Sequence, residues 1–164
     1  MNKVNFEIRD NCPASALPEI LHLFDEANQR MHSFMTERAL SYQRDEMKAT
    51  IVPVADFIIA RVGLDMAGFI AMVDNHIIGI YPSENFRWCN VGRKLLNIVK
   101  RRHQRLNVNV FFKNTSMLEL YLAEGFHILD YQTNISYSEL SVSLHWNTTN
   151  DRCEKLNAFS SVAY

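Results

Sequence analysis

The chain has 164 residues, a length that suits one domain built around a single hydrophobic core. Apolar residues make up 48% of it, charged residues make up 21%, and the formal net charge is -1. This balance argues against bulk electrostatic attraction to nucleic acid. No apolar run approaches the ~20 residues that a bilayer-spanning helix needs, so we expect a soluble protein with no membrane partner.

The number and spacing of the cysteines indicate whether the protein contains disulfides. Cys12, Cys89 and Cys153 are odd in number and widely separated, which favours free thiols over a disulfide framework. The N-terminal residues lack the apolar core of a signal peptide, so we expect a reducing, cytoplasmic setting. No CxxC pair or His/Cys cluster occurs at ligand spacing, and we therefore expect no metal cofactor.

The sequence of the first 50 residues predicts a strand and two helices. Alternation of apolar and polar residues over Phe6–Ile8 predicts a short strand. An apolar stripe from Leu17 to Met31 predicts a helix with Ser15 as its cap. A weaker pattern over residues 36–50 predicts a polar surface helix that ends before Pro53.

The middle and end of the chain predict strands interleaved with two more helices. The runs FIIARV, MAGFIAMV and HIIGIYP, separated by short turns, predict an antiparallel meander. An apolar face from Val91 to Leu106 predicts a third helix, and NVNVFF predicts the next strand. Residues 116–124 predict a short helix ended by a left-handed Gly125, after which HILDYQ and SVSLHW predict two strands.

The last residues are polar and without strong periodicity, so we predict a domain over residues 1–146 and a loosely ordered tail over 147–164. The alternation of SVSLHW is typical of an edge strand. Such an edge could pair across a two-fold axis, which leaves a homodimer open.

The segment RWCNVGRKLL lies where the fourth strand gives way to the third helix. The first turn of a helix offers unpaired N–H groups and a partial positive charge to an anion. Gly92 removes one side chain there, and Asn90 tolerates a positive φ, so the two could form an anion-binding nest. Arg87, Arg93 and Lys94 would add positive charge. The alternative is an unliganded helix start with a solvated basic face.

Two motifs resemble those of one family. Arg87-x-x-Asn90-x-Gly92 resembles the (Gln/Arg)-x-x-Gly-x-(Gly/Ala) pyrophosphate loop of the GCN5-related N-acetyltransferases (GNAT). Asn114, followed by Tyr121 and then Gly125-Phe126, looks like a second segment of that family. The resemblance covers roughly residues 6–132, and the stretch over 106–130 is similar to small single-domain bacterial members.

This resemblance implies a mixed α/β fold. The sheet would be mostly antiparallel, with six or seven strands, helices on both faces and a splay between strands 4 and 5. It also implies acetyl-CoA as cosubstrate and direct transfer of the acetyl group to a primary amine within a ternary complex. The residues implied for cofactor binding are Ile80, Tyr81, Pro82, Arg87, Trp88, Cys89, Asn90, Val91, Gly92, Arg93 and Asn114.

The family's chemistry implies a general acid and a general base. Tyr121 suits the protonation of the leaving thiolate, because a phenol with a pKa of about 10 stays protonated at neutral pH. The alternative is an ordinary buried helix tyrosine. His76 is our candidate base, against the alternative of a surface histidine at a turn. Glu84, Asp74 or a chain of waters are other routes for the amine proton. Backbone N–H groups near Ile80 and Tyr81 would stabilise the oxyanion.

Two departures from the family pattern favour a different class of function. Asn90 replaces the first glycine of the loop, and Pro82 has no N–H to offer along the fourth strand. They leave open a catalytically degenerate module that binds acyl-CoA or a protein partner.

The basic run KRRHQR, residues 100–105, is interpreted as a solvated helix face in preference to an RNA-binding surface, since no aromatic residues interleave it. The acceptor stays open among a small amine, a protein amine and an aminoacyl-tRNA. Residues offered for its site without a recognisable pattern are Phe34, Met35, Tyr42 and Trp146.

Overall fold

A computed structural model describes residues 3–149. The strands are β1 Val4–Arg9, β2 Asp56–Val62, β3 Asp65–Val73, β4 His76–Pro82, β5 Arg105–Phe111, β6 His127–Asn134 and β7 Glu139–Asn147. The helices are α1 Leu17–Met31, α2 Glu37–Glu46, α3 Val91–Arg102 and α4 Thr115–Ala123. The strands form one sheet in the order β1-β2-β3-β4-β5-β7-β6, in which β4–β5 is parallel and the other neighbouring pairs are antiparallel. The predicted mixed α/β class is confirmed.

Helices cover both faces of the sheet and divide the core in two. The apolar stripe of α1 packs on one face, where Phe57 and Ile59 of β2 are buried. The intervening Ile58 and Ala60 are buried on the opposite face together with α3. Because both faces are covered, β2 and β3 are nearly continuous apolar runs, as the sequence FIIARV shows.

The sheet opens between β4 and β5. These two strands pair only at His76 with Asn107 and at Ile77 with Val108. The predicted splay between strands 4 and 5 is therefore confirmed. On the β3 side of β4, Met72 lies opposite Ile77 while Ala71 lies opposite Gly79, so Ile78 is a one-residue bulge just where the strands diverge.

Two helix boundaries differ from the sequence prediction. Ser15 does not cap α1, because a 3₁₀ turn over Ala14–Ala16 precedes the helix and no side chain caps its first turn. The third helix ends at Arg102, and Leu106 belongs to β5. The sequence prediction included Leu106 because this β5 residue is buried in the same core cluster as the apolar face of α3 and happens to continue its helical spacing.

The prediction of SVSLHW as an edge strand was wrong. This segment lies in β7, which pairs with β5 on one side and β6 on the other. Val142, Leu144 and Trp146 are buried on one face, which accounts for the alternation. Alternation reports which face is buried and carries no information about neighbours in the sheet. Pairing of β7 across a two-fold axis is thus excluded, since both its edges are occupied.

The predicted tail lies mostly outside the described residues, since 150–164 are not described, and its boundary stays a prediction. Within residues 3–149, none of the helices is long and apolar enough to cross a bilayer.

Candidate active site

Two adjoining cavities open at the splay. The central cavity, of about 320 Å³, lies between α1, α2, β4, β5 and the start of α4. The loop cavity, of about 330 Å³, lies between the end of β4, the 3₁₀ segment Glu84–Cys89 and the start of α3. Met31 and Met117 line both, so the two cavities share one wall.

The start of α3 presents free backbone donors to the loop cavity. Asn90 has φ 53° and ψ 43°, the left-handed conformation that the sequence analysis considered for it, and its side chain caps nothing. The first helical hydrogen bond is donated by the Lys94 N–H to the Asn90 carbonyl at 3.2 Å. In the described part of the chain, the N–H groups of Val91, Gly92 and Arg93 therefore have no acceptor.

Gly92 is not required by the packing of the protein itself. A Cβ atom built there would lie 3.4 Å from Leu120 Cδ2 and 3.8 Å from Ile80 Cγ2, which are ordinary van der Waals distances. Its φ is not positive, so alanine would also suit the backbone. The absent side chain leaves room in front of the helix start, where a ligand could approach the backbone.

The loop cavity is basic. Its lining contains Arg30, Arg87 and Arg93 against one carboxylate, that of Glu84. Glu84 pairs with Arg30 at 3.3 Å and with Arg87 at 3.0 Å, while Arg93 pairs with Glu124 at 2.6 Å. Arg30 was not predicted as a site residue, because its position on the polar side of α1 gave no sign that it reaches the end of β4.

Pro82 lies on the open edge of β4. The Ser83 N–H donates to the Ala67 carbonyl of β3 at 2.8 Å, so in the alternating ladder the polar groups of Pro82 and Ile80 face the splay. Arg30 Nη2 donates to the Pro82 carbonyl at 2.8 Å. Of the two candidate oxyanion donors, the Ile80 N–H faces the cleft and the Tyr81 N–H faces β3.

Tyr121 lies on α4 and lines the central cavity. Its side chain is only 1% exposed and packs edge-on to Phe126, with ring centroids 5.1 Å apart. Burial, with a smaller contribution from the nearby Tyr81 phenol, raises the pKa of Tyr121 well above its ordinary value. The hydroxyl is therefore protonated at neutral pH.

Asn114 and His32 form a buried polar chain beside Tyr121. Asn114 caps α4, with its Oδ1 accepting from the Met117 N–H at 3.4 Å, and its Nδ2 donates to His32 Nε2 at 3.2 Å. His32 Nδ1 is 3.3 Å from Gln43 Oε1 and takes the donor role, because Nε2 is the acceptor. Burial lowers the pKa of His32, which is consistent with this neutral tautomer. His32 was missed by sequence analysis.

The candidate base His76 also lines the central cavity, at the first of the two positions where β4 and β5 pair. Partial burial lowers the pKa of His76 below its ordinary value, so the imidazole is neutral near pH 7.

The structure separates the other candidate residues into three groups. Ile80, Tyr81 and Asn114 line the central cavity, and Pro82, Arg87, Asn90, Val91, Gly92 and Arg93 line the loop cavity. Trp88 and Cys89 line neither, since Trp88 is 60% exposed on the outside and Cys89 is buried in the core. Trp146, considered for the acceptor site, is likewise a core residue. Within residues 3–149, no cluster of His, Cys, Asp or Glu could hold a metal ion.

Comparison with known proteins supports the family resemblance. No family model matches the chain. Peptidyl-lysine N-acetyltransferase YiaC of Escherichia coli K12 is 28% identical over 123 residues, which cover 71% of this chain and 80% of that protein. The crystal structure of a GCN5-related N-acetyltransferase from Rhodopseudomonas palustris matches with a TM-score of 0.70 and 12% identity, covering 90% of this chain and 96% of that chain. This chain has the GNAT fold. The GNAT resemblance indicated by its sequence motifs is confirmed.

Two further solved structures are similar to this chain in fold. The solution structure of apo-form YjaB from Escherichia coli has a TM-score of 0.74 at 18% identity, covering 87% of this chain and 97% of that one. A putative streptothricin acetyltransferase from Bacillus anthracis, solved with acetyl coenzyme A, has a TM-score of 0.51 at 18% identity, covering 57% and 63%. The likeness to named acetyltransferases supports acetyl transfer as the general class of reaction.

Proposed function

We propose that this protein is an acetyl-CoA-dependent N-acetyltransferase that acetylates a primary amine by direct attack. The observation that carries this proposal is the junction of the two cavities. Free N–H groups at the start of α3 face the loop cavity, and the splay leads from there past Ile80 to Tyr121. Donors for an anion and a proton donor for a leaving group thus share one continuous cleft.

The residues present fit acetyl-CoA. A diphosphate would be held by the N–H groups of residues 91–93 and by the excess of arginine in the loop cavity. The polar groups of Ile80 on the open edge of β4 suit an extended arm that carries amide groups. When bound, acetyl-CoA would supply the acetyl group as an activated thioester.

Three groups of this chain serve the chemistry. The Ile80 N–H stabilises the negative charge that develops on the carbonyl oxygen. His76, neutral near pH 7, accepts the proton that the ammonium must lose before its nitrogen can attack. Tyr121 gives its phenolic proton to the departing sulfur and regains one, through solvent, from the newly acylated nitrogen. One C–N bond forms, one C–S bond breaks, and one proton is released to water.

The test is a calorimetric titration with acetyl-CoA, followed by thiol release in the presence of pooled primary amines. We expect saturable binding and amine-dependent thiol release. If the protein does not bind acetyl-CoA, the proposal fails.

A non-catalytic acyl-CoA-binding module is the second candidate, favoured by one observation. Pro82 lies on the open edge of β4 and offers no N–H there, while its carbonyl is already an acceptor for Arg30. Binding of acetyl-CoA without turnover of any amine would support this alternative.

A further inference from the structure

We propose that the acceptor is a primary alkylammonium, selected in the central cavity by the carboxylate of Glu46, and that amines of similar length carrying a carboxylate are disfavoured. This inference rests on the proposed transferase function and deepens it by naming the substrate class.

The charges of the two cavities are opposite. Glu46 is the only aspartate, glutamate, lysine or arginine among the described residues that line the central cavity. The loop cavity next to it has three arginines and one glutamate. One chamber therefore attracts an anion and the other a cation, which suits a reaction that joins an anionic cofactor to a cationic amine.

Glu46 is held in place but keeps one oxygen available. The Tyr137 hydroxyl, from the turn between β6 and β7, donates to Glu46 Oε2 at 3.1 Å across the mouth of the cavity. Within the described part of the chain, no lysine, arginine or histidine forms an ion pair with Glu46. The other carboxylate oxygen is thus free to accept from an incoming N–H.

The walls near Glu46 suit an alkyl chain. The rings of Phe111 and Tyr137 meet edge to face with centroids 5.5 Å apart, and Tyr42 packs behind Tyr137 at 5.8 Å. Met47 and Ile51 add aliphatic surface to the same lining. A chain of methylene groups would be buried against these side chains while its charged end meets the carboxylate.

A second acceptor in the lining lacks a donor. The Asn28 side chain is 3% exposed, and its Oδ1 has no hydrogen-bond partner. A buried amide oxygen without a donor is costly, and an ammonium brings three N–H donors and no acceptor. The orphan oxygen therefore also matches a cationic amine.

The remaining titratable groups near the cavity do not oppose this assignment. His32 has both ring nitrogens engaged by Gln43 and Asn114 and is neutral. Lys113 lies in the turn after β5, over the Phe34 ring at 5.5 Å, and it pairs with Glu139 at 3.1 Å. His76, Tyr81 and Tyr121 are uncharged near pH 7, and the bound ammonium passes its proton to His76 or to water before attack.

The experiment compares primary amines whose alkyl chains are of similar length and which differ in the group at the far end of the chain. Thiol release is measured with n-hexylamine, with ε-aminocaproate as its anionic analogue, and with Nα-acetyl-lysine amide as a lysine side chain. We expect kcat/KM for n-hexylamine to exceed that for ε-aminocaproate by about tenfold or more, because ε-aminocaproate brings a second carboxylate into the cavity that Glu46 lines. The ratio of kcat/KM for n-hexylamine to kcat/KM for the lysine amide shows whether a free alkylamine or a lysine side chain is the better acceptor. A preference for either of them over ε-aminocaproate supports the proposal.

Variants assign the preference to Glu46. Glu46→Gln should raise KM for n-hexylamine about tenfold and narrow the gap to ε-aminocaproate, with the Kd for acetyl-CoA unchanged. Asp45→Asn removes the neighbouring carboxylate of α2, which does not line the cavity, and should change neither constant. Thermal melting checks that Glu46→Gln folds. Tyr137→Phe removes the hydrogen bond that positions the Glu46 carboxylate, so it should also raise KM for n-hexylamine.

Direct calorimetry of n-hexylamine binding, without acetyl-CoA, keeps the two proposals separate. Tighter binding to the wild type than to Glu46→Gln would support the ammonium site even if no turnover is seen. Equal use of n-hexylamine and ε-aminocaproate, or an unchanged Glu46→Gln, would overturn it while leaving the transferase function intact. Absence of acetyl-CoA binding would instead count against the transferase.

Discussion

At the scale of single residues, burial in the central cavity shifts the pKa values of Tyr121 and His76 in opposite directions. Burial favours the neutral form of each, so it raises the pKa of the Tyr121 phenol and lowers that of the His76 imidazole. Near pH 7 the phenol keeps its proton and the imidazole is free to accept one. A donor and an acceptor of protons are therefore both present in the state that the proposed acetyl transfer needs.

Replacement of Tyr121 by phenylalanine removes the proposed general acid and retains the ring. We expect kcat to fall by about 10²–10⁴-fold with the Kd for acetyl-CoA unchanged, measured by thiol release and calorimetry. Tyr131→Phe, an exposed β6 tyrosine that does not line either cavity, is the matched control. Wild-type turnover in Tyr121→Phe would remove this residue from the mechanism.

The pH profile tests His76. Its pKa lies below the ordinary value of about 6.5, so the base is active above that lowered pKa and is lost as the pH falls through it. We expect kcat/KM to decline on an acidic limb with an apparent pKa below about 6.5. The limb should disappear in His76→Ala and persist in His22→Ala, whose residue is exposed. An acidic limb that survives in His76→Ala would assign the base elsewhere.

At the scale of elements, local patterns were predictable and contacts between distant segments were not. The stripe of α1 and the turn chemistry of Asn90 and Gly92 are properties of a few neighbouring residues, and the sequence analysis recovered them. Glu46 meets Tyr137 across 91 positions of the chain, and His32 meets Asn114 across 82. No periodicity reports such pairs, because they depend on how the helices and strands are assembled.

Gly92 gives a test of the helix start that separates folding from binding. Because the protein leaves room for a Cβ there, Gly92→Ala should keep or raise the free energy of unfolding, by up to about 1 kcal/mol. The family motif allows alanine here, so the methyl group should leave the Kd for acetyl-CoA within about threefold, whereas Gly92→Gln places a longer side chain in front of the helix start and should weaken binding on the order of tenfold. Denaturant unfolding and calorimetry measure the two effects.

The control for Gly92→Ala is Asn97→Ala, which raises helix propensity further along α3 and away from either cavity. It should stabilise the protein without changing the Kd for acetyl-CoA. Unchanged affinity in Gly92→Gln would mean that no ligand approaches this turn.

At the scale of the whole molecule, the splay joins two chambers of opposite charge into one cleft. The GNAT resemblance predicted the splay, the sheet and the loop, while the charge of the central cavity emerged only from the assembled structure. Glu46 lies at the end of a polar helix and is one of many carboxylates in the sequence. Its proposed role rests on the absence of other fixed charges among the described residues that line the cavity, which no single segment encodes.

Global stability should depend on pH through the neutral histidines of the cleft. Burial lowers the pKa of His32 and His76, so the unfolded chain binds more protons than the folded one below about pH 6.5. The contribution is fully present above pH 6.5 and is lost as the pH falls towards the lowered pKa values. We expect the free energy of unfolding, from urea titrations, to decrease between pH 7 and pH 5.

His32→Gln cannot titrate and should make this pH dependence shallower, whereas His22→Gln, at an exposed position, should leave the slope unchanged. An identical slope in His32→Gln would show that its burial does not couple to folding.

Ile78 gives β4 one residue more than its pairing with β3 needs. Ile77 lies opposite Met72 and Gly79 lies opposite Ala71, so the residues on either side of Ile78 would form a regular ladder without it. Deleting Ile78 would therefore leave Ile80 and Tyr81 on their present faces of the sheet. It would remove the local bend that a bulge introduces, at the point where β4 stops pairing with β5. The width of the opening, and not the choice of side chains that face it, is what this supernumerary amino acid influences.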